Sequence, residues 1–410
     1  MSLFQAADIL LPNVRDMGLW PVVACDQFTS QPEYWDEVRE KVGDAPSSYH
    51  LILPEAELPA SPERTAAIHA TMKDYLEKGL FREHKNAYVY VERTQMDGSV
   101  RRGVVGAVDL EGYDYSEGSS SPIRATERTV VERIPPRRAV REGAPLELPH
   151  VLMLCDDAEQ TLIEPIAQKK GQLPQLYSVD LMLGGGHVSG WLVQGGEAGL
   201  LDRRLDSYIQ SHASLPFAVG DGNHSLATAK ACYEAMKQAH PAQDFSRHPA
   251  RYVLVELENI HDPALRFEPV HRLVKGANVP RLLERLTADC GAEEGYPVEW
   301  FSGSHGPSGG DGSGTIRLDR SRASLALGVL QSWLDEYLAH NPGETDYIHG
   351  EDVLKRLAAE KDSVGFLLPP IDKGQFFRWI VSEGVLPRKT FSMGHAQEKR
   401  YYLEGRRITD

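Results

Sequence analysis

The stretch LPFAVGDGNHSLATAKACYEAM, residues 215–236, decides the fold class. A short apolar run meets Gly220-Asp221-Gly222-Asn223-His224-Ser225, and behind that turn Leu226, Ala229, Tyr233 and Met236 recur at the spacing of one helix face. A second apolar run, RYVLVELE at 251–258, follows. The spacing predicts strand, tight loop, helix and strand in succession. Gly220 and Gly222 suit positive φ and the close approach of a backbone to a ligand. A helix start carries N–H groups without intrahelical partners and a partial positive charge, so this loop is a candidate anion site. His224 can donate to an oxyanion or move a proton there. Asp221 can accept a proton from a hydroxyl or meet a metal, and Lys230, two turns in, leans back toward the helix start. The competing account is structural: Asp221 or Asn223 caps the helix, as such residues commonly do.

Outward from this unit, strands and helices keep alternating. Ser61 and Pro62 read as N-cap and first residue of a helix ending near Gly79. NAYVYVERT (86–94) and VRRGVVGAVDL (100–110) alternate with period two around Asp97-Gly98, which predicts a hairpin. WPVVACDQF (20–28), HVLMLCDD (150–157), GHVSGWLV (186–193) and SVGFLLPP (363–370) read as strands. A helix is expected at 33–42, another at 198–212, and others near 323–339, 350–360 and 373–383, with a last strand near KRYYLEG (399–405). The fold class expected is α/β, a mixed sheet with helices packed on it. The 410 residues suit a single unit, with lobes 1–200 and 201–410 as a division to consider. SGSHGPSGGDGSG (302–314) reads as a flexible surface loop.

Composition narrows the function. Lys and Arg total 44 against 59 Asp and Glu, a formal charge of −15, which argues against a nucleic-acid partner. Cys25, Cys155, Cys232 and Cys290 form no zinc-ligand spacing and suit a reducing cytoplasm. No signal peptide and no membrane span are expected. G-x-x-x-x-G-K-[ST] is absent, and the glycines at 184–190 do not fit G-x-G-x-x-G. Gly306 to Gly310 fit G-x-S-x-G, but in a glycine-rich tract without strand–turn–helix context.

Other candidates are more dispersed. Glu127 with Arg128, Arg133 and Arg138 offers a base and anion clamps, or else a salt-bridged loop. His271-Arg272 stands at a strand–loop exit of the kind that lines α/β clefts. Asp26 can be a metal or base residue or a turn former, Lys389-Thr390 can meet a phosphate, and His187 reads as a core histidine.

The turn at 220–225 resembles the signature of a widespread bacterial and archaeal family known mainly as a domain of unknown function. Its members read Asp-Gly-His-His-Arg-Tyr before a helix. RATERTVVERIPPRRAV (124–140), VLMLCDD, GHVSGWLV, FEPVHRLV (267–274) and GVLPRKTFSM (384–393) resemble further segments of that family, so the likeness spans nearly the whole chain. The signature is similar in turn to the nucleotide-binding loop of ParB, sulfiredoxin and the archaeal free serine kinases. The resemblance implies a nucleotide-dependent phosphotransferase using ATP or ADP with Mg²⁺ on serine or a similar small hydroxy metabolite. It implies catalytic roles for Asp221, His224 and Glu127, and phosphate binding by Gly220, Gly222, Asn223, Ser225 and Lys230. Arg128, Arg133, His271 and Arg272 are then substrate-binding. Asn223, Ser225 and Leu226 replace the signature's first His, Arg and Tyr, and Thr126 stands where a His is usual. Losing the arginine removes a bidentate phosphate clamp. Two alternatives follow: a nucleotide- or metabolite-binding regulator without catalysis, and a phosphatase or hydrolase of a small phosphorylated metabolite.

Overall fold

The computed structural model describes residues 2–25, 28–29, 31–148, 151–303, 312–387 and 389–409. Asp26, and most of the glycine-rich tract with Ser308, lie outside them. The chain divides into two units, Met1–Leu265 with Gly394–Asp410, and Arg266–Met393. Residue 200 lies within a helix of the first.

The first unit is built on an eleven-stranded mixed sheet. Its main path runs β10 (Gln175–Asp180), β11 (His187–Val193), β4 (Phe81–Thr94), β5 (Val100–Asp109), β13 (Tyr252–Asn259), β9 (Leu152–Cys155), β12 (Phe217–Asp221), β7 (Ile123–Ala125) and β6 (Tyr113–Asp114). β1 (Phe4–Gln5) joins β5, and β2 (Ala7–Pro12) joins β4. The β4–β5 hairpin turns where Asp97-Gly98 predicts it: Gly98 has φ 82°, and Gln95 N donates to Ser99 O at 2.8 Å. Two short antiparallel pairs, β3 (Val22–Val23) with β21 (Tyr401–Tyr402) and β8 (Leu146–Glu147) with β22 (Arg406–Arg407), tie segment 394–409 into this unit.

Strand alternation gives the sheet two buried faces. On one, Val89, Val105 and Leu254 pack with Trp20, Tyr401 and Leu403, and with α1 (Pro32–Val42) and α2 (Pro62–Glu77). Ser61 caps α2 by accepting from Arg64 N, as its sequence predicts. On the other face, Val104, Val253 and Leu257 pack with α5 (Gly196–Ser211) through Leu205 and with α6 (Asn223–Ala239) through Leu226 and Tyr233. The short helices α3 (Ile134–Arg141) and α4 (Glu164–Ala167) complete the unit. α3 packs on α6.

The second unit carries an antiparallel five-stranded sheet, β17 (Ser313–Asp319), β16 (Gly295–Phe301), β19 (Ser363–Leu367), β15 (His271–Lys275) and β18 (Glu344–Ile348). Leu282, Leu286, Leu330 and Leu334 of α7 (Val279–Cys290) and α8 (Ala326–Leu338) pack with Val274 and Phe366. Leu354 and Ala358 of α9 (Glu351–Ala358) pack with Leu273 and Ile348. β14 (Phe267–Pro269) pairs with β20 (Phe391–Met393), and Phe376 of α10 (Lys373–Glu383) meets Phe267 and Phe391. The α/β class, with helices on a mixed sheet, is the one the sequence predicts.

Candidate functional site

The strand–turn–helix unit forms as its spacing predicts, with β12 ending at Asp221 and α6 beginning at Asn223. Against β9 the register is Val219↔Met153, then Asp221↔Leu152, so Gly220 is the extra residue of a bulge. Bulges re-aim the strand at such junctions. Gly222 is the N-cap of α6 at φ 85°, ψ 25°, a left-handed conformation that suits glycine. No side chain caps α6. The Asp221 carboxylate turns back instead: Oδ1 accepts from Gly222 N at 2.9 Å, and Oδ2 stands 3.6 Å from Lys399 Nζ. The Asn223 Oδ1 atom is buried without a hydrogen-bond donor.

The segment after β7 runs beside this turn. β7 is parallel to β12, Thr126 Oγ1 donates to Val219 O at 2.6 Å, and Val130 N donates to His224 Nε2 at 3.2 Å. That last bond makes Nε2 an acceptor, so a neutral His224 carries its proton on Nδ1. Glu127 and Arg128 lie between these two anchors, Arg128 exposed. Thr129 Oγ1 is buried with no hydrogen-bond partner. Arg133 closes the turn that leads into α3, and its carbonyl accepts from Arg137. Asp221, His224, Asn223 and the 126–130 segment are therefore brought together.

The remaining candidates have other partners. Lys230 Nζ donates to Leu110 O at 2.9 Å and pairs with Glu234 at 2.8 Å. His271 and Arg272 belong to the second unit. His271 is buried, and its Nδ1 accepts from Leu368 N at 3.1 Å. Burial pushes its pKa down to about 4. The Arg272 guanidinium, expected to meet an anionic substrate, is fully buried, where a charge persists only when partnered. It donates to Gln331, to Val270 O at 2.7 Å and to Lys389 O at 3.1 Å, and it stacks on Tyr347. His187 bonds Asp180 across β10–β11 at 2.6 Å.

A buried charge network adjoins the turn on the same sheet face, and the motifs do not reveal it. Asp221, Leu152 and Glu256 share one row across β12, β9 and β13. Glu256 and Glu258 take the inward register of Leu254. Arg101 Nε stands 2.7 Å from Glu258, Arg400 Nε 3.2 Å from Glu256, and Arg400 Nη2 2.6 Å from Glu404. All five side chains are at most 1% exposed. Gly103 leaves room for Glu256, whose Cγ would stand 2.8 Å from an added Cβ. Burial pushes the Glu258 carboxyl up to about 8, with Arg101 opposing. Arg93 donates to the carbonyls of Gly185, Gln397, Glu398 and Lys399, and Arg101 to Glu398 O. The legible signal was acids at alternate positions of an otherwise apolar strand, RYVLVELEN.

Among the described residues, no group of three or more His, Cys, Asp or Glu is placed to hold a metal ion, and no helix is long and apolar enough to cross a membrane. Fold and site together define an α/β protein organised around a glycine-capped strand–helix junction beside a buried ionic network. The chain belongs to the family described as "Protein of unknown function (DUF1015)", whose model matches residues 8–403. No curated protein matches its sequence. Among solved structures it is similar to SbnI with C-terminal truncation from Staphylococcus aureus, at 11% identity and TM-score 0.36, covering 71% of this chain and 83% of that one. It is also similar to a free serine kinase in complex with AMP, at 12% identity and TM-score 0.35, covering 74% and 90%. A conserved hypothetical protein from Pyrococcus furiosus aligns at 11% identity and TM-score 0.33, covering 72% and 90%.

Proposed function

We propose that the chain binds the phosphates of ATP or ADP at the β12–α6 junction and transfers a phosphoryl group to the hydroxyl of serine or a similar small hydroxy metabolite. One observation carries this reading: a seventeen-residue helix begins at a left-handed glycine with no side-chain cap hydrogen bond at its start. Its leading N–H groups and dipole are then available to phosphate oxygens. The buried Asn223 Oδ1 lacks a donor and is placed to accept from a ligand hydroxyl, such as that of the phosphoryl acceptor.

In this reading the hydroxyl oxygen attacks the terminal phosphorus while the bond to the bridging phosphate oxygen breaks. Asp221 or Glu127 takes the hydroxyl proton. Asp221 ends β12 and Glu127 follows its parallel neighbour β7, and phosphoryl transfer needs little beyond alignment and charge neutralisation. Mg²⁺ on a nucleotide needs only one or two protein carboxylates, and the same pair fits that need. His224, with its proton on Nδ1, orients the loop through Val130 N. Arg128 and Arg133 meet the anionic end of the substrate.

Thermal unfolding with ATP, ADP, AMP, serine and phosphoserine, each with Mg²⁺, tests the reading. A ligand bound to the native state raises the melting temperature by linkage. The expected result is stabilisation of the wild type by nucleotide, its loss in Asp221→Asn/His224→Ala, and phosphoserine formed from ATP or ADP plus serine. No shift with any nucleotide would refute it. The substitution of Ser225 for the arginine of the resembled signature favours a second reading, a binding protein without catalysis. Stabilisation without turnover would select that one.

A further inference from the structure

We infer that Ser178, His187 and Asp180 form a second catalytic site, a serine–histidine–aspartate triad for the hydrolysis of small carboxylic esters. It stands on β10 and β11, with four strands of the sheet between it and β12, and it is independent of the phosphate reading above.

Asp180 pairs with His187 across the two strands and Ser178 with Ser189, so four polar side chains share one face while Val179 and Val188 turn into the core. The His187 ring links them in order. Its Nδ1 stands 2.6 Å from Asp180 Oδ1, and its Nε2 stands 2.9 Å from Ser178 Oγ. A carboxylate beside Nδ1 holds the ring proton there, which leaves Nε2 to accept from the hydroxyl. A base oriented in this way by a third group is what activates a serine. Ser189 Oγ, 3.0 Å from Ser178 Oγ and 3.3 Å from Nε2, is buried, whereas Ser178 is exposed and open to a substrate. β10 is the terminal strand of the sheet. Leu181 N donates to Gly186 O, so by alternation Ser178 turns its own N–H outward at the open edge, where it can meet an oxyanion. Trp191, half-buried two residues beyond Ser189 on the same face, offers its ring to the apolar part of an ester.

Ser178 Oγ adds to the ester carbonyl carbon as its proton passes to Nε2. The bond to the alcohol oxygen then breaks, and that proton leaves on the alcohol. Water gives a proton to Nε2 in turn and attacks the acyl-serine. The acid departs and the proton returns to Ser178 Oγ.

Incubating the full chain with p-nitrophenyl acetate, and separately with a fluorophosphonate probe, tests the assignment. The readouts are p-nitrophenolate release and peptide mass spectrometry, with melting temperatures recorded for each variant. Wild type should release p-nitrophenolate above the uncatalysed rate and carry the probe on Ser178. Ser178→Ala should lose both, and His187→Gln should lower kcat at least ~100-fold. Asp180 is a positioning residue, so Asp180→Asn should lower kcat about tenfold with KM unmoved, the effect of one charge-assisted hydrogen bond. Wild-type release no faster than that of Ser178→Ala overturns the inference, as does labelling at wild-type rate in His187→Gln. Should a variant fail to fold, the wild type decides alone: a probe that leaves Ser178 unmodified refutes the triad.

Discussion

Acidification should destabilise the second unit through one histidine. His271 sits on β15 at 5% exposure, and its Nδ1 is committed to accepting from Leu368 N. Burial lowers its pKa to about 4 from 6.5; Glu351 works against that, and His349 and Arg272 add to it. Between these values the folded chain keeps the ring neutral while the unfolded chain takes a proton. The unfolded state therefore binds more protons, and stability present above pH 6.5 is lost as pH falls toward 4. The full difference corresponds to at most about 3 kcal/mol, of which roughly 2 should be gone at pH 4.5. Urea unfolding at pH 7.0 and 4.5, on wild type and His271→Asn, isolates the effect. Asparagine retains an acceptor for Leu368 N but cannot be protonated. It should cost stability at neutral pH yet flatten the pH dependence by about 2 kcal/mol relative to wild type. Parallel losses in the two proteins would refute the argument, since other titrating groups are common to both.

Three substitutions probe the first unit. Gly222→Ala forces a Cβ into the left-handed N-cap and should cost ~1–2 kcal/mol in urea unfolding while abolishing any stabilisation by ADP. Arg400→Met leaves Glu256 and Glu404 buried without their guanidinium and should cost ~3–5 kcal/mol, partly recovered when Glu404→Gln is added. Thr126→Val removes the bond to Val219 O that holds the 126–130 segment beside β12, so denaturant unfolding should show a loss of ~1–2 kcal/mol.

Local features were legible in the sequence because local chemistry fixes them. The Asp97-Gly98 hairpin, the Ser61 cap and the start of α6 each depend on residues within a few positions. The tight turn at 220–225 was visible for the same reason, though its cap proved to be glycine rather than Asp221 or Asn223. Among the described residues, WPVVACDQF contributes only Val22–Val23 as strand, and KRYYLEG only Tyr401–Tyr402. In the latter, the residues that matter are the charges that apolar patterning passes over. Arg101 with Glu258, Glu256 with Arg400 and Lys399 with Asp221 are far apart in sequence, and nothing in the spacing of either partner announces the other. Arg272 looked like a ligand-binding arginine because its sequence context does not report burial.

The ties that fasten segment 394–409 into the first unit also constrain the order in which this protein is made. The whole of the second unit is translated between Leu265 and Gly394, so Arg93, Arg101, Glu256 and Glu258 emerge from the ribosome long before Arg400 does. Until then the acids have only part of the set of cations they meet in the finished fold. Contacts of such long sequence separation form slowly. The first unit therefore completes its ion pairs, and gains the lysine beside its turn at 220–225, only after the whole of the second unit has been made.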